Sequence, residues 1–321
     1  MRSVAVAIPT MNRPEHLGRC IRSILDGDLR PDQLVVCDQS TSGNTAAMLS
    51  SLEPGDVELT YLHLNRPNAS AARNSGFEAA RTELVAYIDD DCVPAKGWLA
   101  ALAGSYYATA GSERVASVTG RVLPLRSVRR GVALSSRSSR RKRFFRADGG
   151  SLEKGEWAPW DAGTGGNLLS PRRTLAELGG FNVELGPGTP TRAAEDIDLL
   201  YRLARVGTLV YEPEAVVYHP MGSRRKRITS RYAYGRGMGS MLALHLSRGE
   251  PAAQSLLSLY LRHQAAQAFR RGLWGPAESL LLLAGAAGPL VKYRLQRFSV
   301  EGNDKQFSSR SRSTTAGETN R

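Results

Sequence analysis

Cysteine is scarce in this chain: 321 residues carry three, Cys20, Cys37 and Cys92, and no two of them form a C-x-x-C pair. An odd count at such wide spacing excludes a disulfide framework and the common zinc and redox motifs, and it predicts reduced thiols in a cytosolic protein. Long apolar runs are missing as well. The first, residues 3–8, meets Pro9 and is too short for the h-region of a secretory leader. The longest, Leu280 to Val291, has twelve residues and contains Gly285, Gly288 and Pro289, whereas a membrane-spanning helix needs about twenty. The expectation is a cytoplasmic protein, with at most a peripheral hold on the inner face of a membrane. No internal repeat and no N-terminal glycine-rich loop is present.

Acidic residues are absent from two stretches. Residues 114–147 hold eleven Arg or Lys and residues 215–249 hold seven, with no Asp or Glu in either, although the whole chain has 43 basic and 30 acidic residues for a net +13. Setting those 18 aside leaves 25 basic residues against the 30 acids. A mildly acidic body bearing two basic segments is unlike a histone-like or ribosomal protein. The nucleic-acid alternative draws on Phe144 and Phe145 beside Arg140 to Arg143, which could pair stacking with phosphate contacts. With no recognised nucleic-acid motif, a solvated loop is the better account, and no nucleic-acid partner is expected. The surplus suits an anionic partner such as a lipid surface.

What is present is an alternation of short β-rich runs with helical patterns, as parallel strands joined by crossovers require. Val4 to Ile8 reads as a strand, followed by a helix from Pro14 with Leu17, Ile21, Ile24 and Leu25 at helical spacing. Leu34 to Cys37, Val57 to Leu62 and Leu84 to Ile88 read as further strands. Ser70 is placed to cap a helix over residues 71–81, and another helix is expected over 95–108. The serine- and arginine-rich residues from about 121 to 147 read as a mobile loop. A Gly163 to Asn167 turn, helices from Pro171 to Leu178 and Ala194 to Val206, and strands over 208–211 and 215–218 follow. Gly235 to Gly239 reads as a flexible turn, because its glycines do not follow a first strand as a dinucleotide site demands. Residues 252–297 read as helical and the last twenty as disordered. Length and 41% apolar content suit two units at most.

Polar groups gather at successive strand ends, where open α/β sheets bind their ligands. Asp89, Asp90 and Asp91 end the strand at Ile88. If extended geometry persists, Asp89 and Asp91 share a side and could converge on a divalent cation or a ribose diol; a solvated acidic turn is the alternative. Pro9, Thr10 and Asn12 end the first strand, Asp38 the second, and Arg73 and Asn74 lie at a helix N-terminus, a set suited to base, ribose and diphosphate. Glu195 and Asp196 open a helix, where acids are favoured by the dipole, or serve as a base toward a sugar hydroxyl. His219 either caps a strand or completes a carboxylate site.

The runs Val6-Ala7-Ile8-Pro9-Thr10-Met11-Asn12-Arg13, Asp38-Gln39-Ser40, the Ala-Arg-Asn-x-Gly of residues 72–76, Tyr87-Ile88-Asp89-Asp90-Asp91, Gly165-Gly166-Asn167, Glu195-Asp196 and the later His219 stand in the order seen in family 2 glycosyltransferases of the GT-A fold, which residues 3–220 resemble. The resemblance implies an α/β fold with a Rossmann-like, mixed or mostly parallel sheet flanked by helices. It divides the chain into a catalytic domain (1–220), a basic helical extension (221–300) and a disordered tail (301–321). It further implies that Pro9, Thr10, Arg13, Asp38 and Arg73 line the nucleotide pocket, with Asp38 at the base, Asp89 toward the ribose side, Asp90 among the nucleotide-sugar-binding residues, and Gly166 and Asn167 near the donor sugar. Asp91 and His219 would hold Mn2+ or Mg2+, and Asp196, beside Glu195, would be the base of an inverting transfer from a nucleotide-diphosphate sugar, UDP or dTDP by preference, to a glycan or lipid-linked acceptor. The Q-x-x-R-W motif of processive synthases is absent, which implies transfer of one or a few sugars. A sugar nucleotidyltransferase is the nearer alternative. The C-terminal helices either dock on an anionic membrane or pack on the catalytic domain.

Overall fold

Alternation along the first strand sets up a two-layered core. In the computed structural model, which describes residues 3–125, 139–147, 150–220, 224–270 and 275–293, β1 (Val4–Thr10) contributes Val4, Val6 and Ile8 to one hydrophobic cluster and Ala5 and Ala7 to another. The first set packs with Leu17, Ile21 and Ile24 of α1 (Pro14–Leu25). The alanines admit α3 (Ala69–Ala79) closely, since a Cβ on Gly76 would stand 2.8 Å from that of Ala7.

β2 (Gln33–Asp38), β3 (Glu58–His63) and β4 (Leu84–Ile88) run parallel to β1 in the order β3-β2-β1-β4, with α2 (Asn44–Ser50) between β2 and β3. β5 (Val93–Pro94) and α4 (Trp98–Ala110) follow, then β6 (Val115–Pro124), β7 (Arg143–Phe145), α5 (Pro159–Ala162), β8 (Asn167–Pro171), α6 (Arg172–Glu177), α7 (Glu195–Ala204) and β9 (Thr208–His219). β8 joins β4 antiparallel and carries the sheet on through β6 and β9 to β5, with β7 also on β9. The architecture is thus a mixed sheet, parallel through its N-terminal half and flanked by helices.

Several local expectations are revised. Asn68 caps α3 by accepting from the Ala71 N–H at 2.9 Å, while the Ser70 hydroxyl donates to the Leu185 carbonyl. The basic loop expected over 121–147 begins and ends in strand, as β6 reaches Pro124 and β7 holds residues 143–145; residues 126–138 lie outside the described residues. β9 is one strand, and its register with β6 slips between Gly120 and Arg121, from Glu212 to Val216. Gly235 to Gly239 lies within helix α8 (Arg224–Ser247). Its glycines serve packing: Gly235 faces the backbone of Leu282 and Gly239 that of Ala286, both in a helix over 275–293, α10.

The extension packs on the catalytic layer. Met241 and Leu242 of α8, Ala252, Leu256 and Tyr260 of α9 (Pro251–Arg270) and Ala286 of α10 join the core that holds Leu199, Leu200 and Leu203 of α7. No helix among the described residues is long and apolar enough to cross a membrane. The tail lies outside the described residues.

Candidate active site

The acidic run at the end of β4 does not continue as strand. The Cys92 N–H donates back to the Asp89 carbonyl at 3.0 Å, so the three carboxylates fan out on a turn. The expected alternation, with Asp89 and Asp91 on one side, gives way to a division of labour. Asp89 accepts from Arg73 at 2.9 Å, Asp90 from the Thr10 hydroxyl at 2.7 Å, and Arg13 bridges Asp90 and Asp91 at 3.2 Å each. Arg13 therefore supplies part of the countercharge such a run demands. Burial pushes the Asp90 carboxyl up, while Thr10 and Arg13 pull it back.

Arg73 is the buried centre of the pocket. One amino group meets Asp89, the other meets Glu195 at 3.1 Å, and its guanidinium lies 5.4 Å from the Phe181 ring centroid. Burial disfavours its charge, but Asp89, Glu195 and Asp196 outweigh that and hold it protonated. Glu195 is pushed up to about 7 by burial and by Asp196, against the pull of Arg73. Asn74 fixes the overlying segment, accepting from the Phe181 N–H and donating to the Phe181 carbonyl.

Asp196 sits at the start of α7, where Gly165 donates to one of its carboxylate oxygens at 3.1 Å and the Ile197 N–H to the other at 2.8 Å. The absence of side chains at residues 165 and 166 is a steric requirement: a Cβ on Gly165 would crowd Asp196, and one on Gly166 would overlap the Asp89 carboxylate. Asp38, fully buried at the end of β2, accepts from the Ser40 N–H and from the Tyr61 hydroxyl at 3.0 Å. Pro9, half-buried, pairs in register with Cys37 beside it.

Asn167 is a correction. It is fully buried, its carbonyl oxygen accepts from Trp98 Nε1, and its amide donates to the Ala215 and Arg121 carbonyls, so it braces the sheet and leaves nothing for a sugar. Tyr61, Phe181 and Trp98 escaped sequence reading.

Asp91, Cys92 and His219 bring their ligand atoms within 4.8 Å of one another, with His219 Nε2 at 3.5 Å from Asp91. Burial, with Asp89 and Asp91 nearby, raises the Cys92 thiol far above its ordinary value, and hard divalent cations prefer carboxylate oxygen to thiol sulfur. The remaining carboxylate and imidazole fit Mn2+ or Mg2+.

Residues 5–124 match the family model described as Glycosyl transferase family 2. The match places residues 5–124 within glycosyltransferase family 2. The Pre-mycofactocin glycosyltransferase of Mycobacterium tuberculosis is 29% identical over 259 residues, 76% of this chain and 48% of that protein. The chain thus spans about half the length of this curated relative. The fold resembles S. aureus TarS residues 1–349, with a TM-score of 0.60 at 14% identity over 91% of this chain and 80% of that one. It also resembles the mannosyltransferase PcManGT of Pyrobaculum calidifontis, solved with GDP-Man and Mn2+, at a TM-score of 0.57 and 20% identity over 92% and 79%. The family 2 match covers β1 through β6 and so includes the Asp38, Arg73 and acidic-turn positions, while Gly166, Asp196 and His219 lie beyond it.

Proposed function

We propose that the chain is an inverting, non-processive hexosyltransferase that moves a sugar from a nucleotide-diphosphate sugar to the hydroxyl of a glycan or lipid-linked acceptor. The observation that carries this reading is the convergence of Thr10, Arg13, Arg73, Asp89, Asp91 and Asp196 around the carboxyl ends of β1 and β4, with glycines 165 and 166 letting Asp196 and Asp89 pack against the turn. Asp38 and Tyr61 face the base, for which UDP or dTDP is the preferred donor class. Asp89, held by Arg73, faces the ribose side.

A divalent cation bound by Asp91 and His219 would neutralise diphosphate charge as the leaving group departs. Asp196 takes the proton of the acceptor hydroxyl. Two backbone N–H groups aim its carboxylate. The acceptor oxygen then attacks the anomeric carbon from the face opposite the diphosphate, through an oxocarbenium-like transition state. Asp196→Asn should lower transfer by about a hundred- to ten-thousandfold while donor affinity changes less than about twofold. Titration calorimetry beside a turnover assay checks this; loss of binding in proportion to turnover would make Asp196 a structural residue.

The reading extends to an anionic membrane surface. Leu261, Phe269, Leu280 and Val291 are exposed on the C-terminal helices, and the segment that precedes them is the basic, acid-free stretch. Flotation with liposomes containing anionic lipid, but not with neutral ones, is the expected result, and equal behaviour with both would remove this part.

A further inference from the structure

Two arginines of this site are already neutralised: Arg13 by Asp90 and Asp91, Arg73 by Asp89 and Glu195. Arg121 is not. It is half-buried, its Nε is buried without a hydrogen-bond partner, and no carboxylate pairs with it among the described residues. An orphaned donor on a partly desolvated guanidinium is costly unless a ligand satisfies it.

The sheet register aims this residue at the site. In β4, Val85 and Tyr87 belong to one core layer and Ala86 and Ile88 to the other, which assigns Asp89 to the layer of Tyr87. In β6, Val118 and Val122 pack in the opposite layer, and Thr119 hydrogen-bonds to the Ala162 carbonyl of α5, so alternation assigns Arg121 to the same layer as Asp89. Ile88 pairs with Asn167, and Thr119 with Leu168, so Asp89 and Arg121 flank Gly166 from the two neighbouring strands. Two strand spacings, about 9–10 Å, separate their backbones across Gly166, over which the Asp89 carboxylate lies, and Asp196 borders the same turn through Gly165.

We propose that Arg121 binds a phosphate oxygen of the donor's diphosphate and stabilises it as the leaving group. The inference rests on the nucleotide-sugar reading of the site. A site walled by Asp89, Asp91, Glu195 and Asp196 repels a diphosphate, and Arg121 is a half-buried guanidinium there that pairs with no carboxylate among the described residues. When the bond from the anomeric carbon to the diphosphate oxygen breaks, its electron pair stays on that oxygen, the acceptor oxygen bonds to the carbon, and the acceptor proton goes to Asp196. Arg121 offers charge-assisted hydrogen bonds where that negative charge develops.

The test is titration calorimetry of the full chain with UDP, dTDP and GDP and with the matching nucleosides, in the wild type, Arg121→Gln and Arg121→Lys. Arg121→Gln should weaken the diphosphate by about ten- to hundredfold, the range of hydrogen bonds to charged groups. Nucleoside affinity should stay within about twofold, and Arg121→Lys should recover part of the loss. Unchanged diphosphate affinity, or parallel loss of nucleoside and diphosphate, would overturn the assignment. A wild type that binds none of the three diphosphates would instead overturn the nucleotide-sugar reading itself.

Discussion

Asp89 keeps its place over Gly166 because that residue has no side chain, and Arg73 holds it from the other side. Gly166→Ala should therefore displace the carboxylate and break the Arg73 pair, lowering donor affinity by about tenfold or more; calorimetry with the best-binding donor measures it, and wild-type affinity would contradict the arrangement. Glu195 offers a pH signature. Its carboxyl is pushed up to about 7 in the fold, above its ordinary value of 4.5, so the stability linked to it is complete below that ordinary value and is lost as pH rises through about 7. Glu195→Gln should flatten that decline in urea-unfolding free energy between pH 5 and 8; an unchanged slope would contradict it. At this scale the positions of the acidic run at the end of β4 and of Glu195-Asp196 at the start of α7 were legible from the apolar patterns that bound those elements. The role of Asn167 was not, since an amide near a glycine turn reads alike whether it faces a ligand or, as here, three protein partners.

Among the elements, α7 is the one that carries the proposed base, and it is tied to the C-terminal helices by a buried histidine. His245 of α8 meets Asp198 of α7 at 2.7 Å through Nε2 and Glu250 at 3.0 Å through Nδ1, so both ring nitrogens are bonded only when both carry hydrogen. Arg202 and Arg205 complete the cluster on Asp198 and Glu250. Burial opposes ionisation of Asp198, yet His245 and Arg202 outweigh it and hold its carboxyl below the usual range; the same balance, with Tyr201, lowers Glu250. The stability these two carboxylates supply is therefore present at neutral pH and lost as acid protonates them. His245→Ala removes one partner from each carboxylate while Arg202, Arg205 and Tyr201 remain, and should cost about 1–3 kcal/mol in denaturant unfolding; a loss under about 0.5 kcal/mol would show that the helices are held by apolar packing alone. Sequence patterning identified β1 to β4, α1 and α7, whose apolar spacing is regular. It missed β6 and β8, where strand residues sit beside a basic run and a glycine turn, and it read the glycines of α8 as a turn, because close helix packing uses the same residue that loosens a loop.

For the whole molecule, the size and charge of the chain resolve into one α/β body with a helical extension packed on its catalytic layer. Basic residues near β7 are partly neutralised, Lys142 by Glu212 and Arg146 by Glu113, which leaves less free charge than composition alone suggests. The central claim is that the pocket takes a nucleotide-diphosphate sugar with a divalent cation. A ligand that binds only the folded state stabilises it by about 2.7 kcal/mol at a hundred times its Kd, enough to move the Tm by several degrees in a chain of this size. The most direct measurement is a thermal-shift screen of UDP-, dTDP- and GDP-sugars with and without Mn2+. The account predicts a rise of several degrees for at least one sugar nucleotide in the presence of Mn2+, reduced in Asp91→Asn, whereas a Tm that no donor moves under either condition would contradict it.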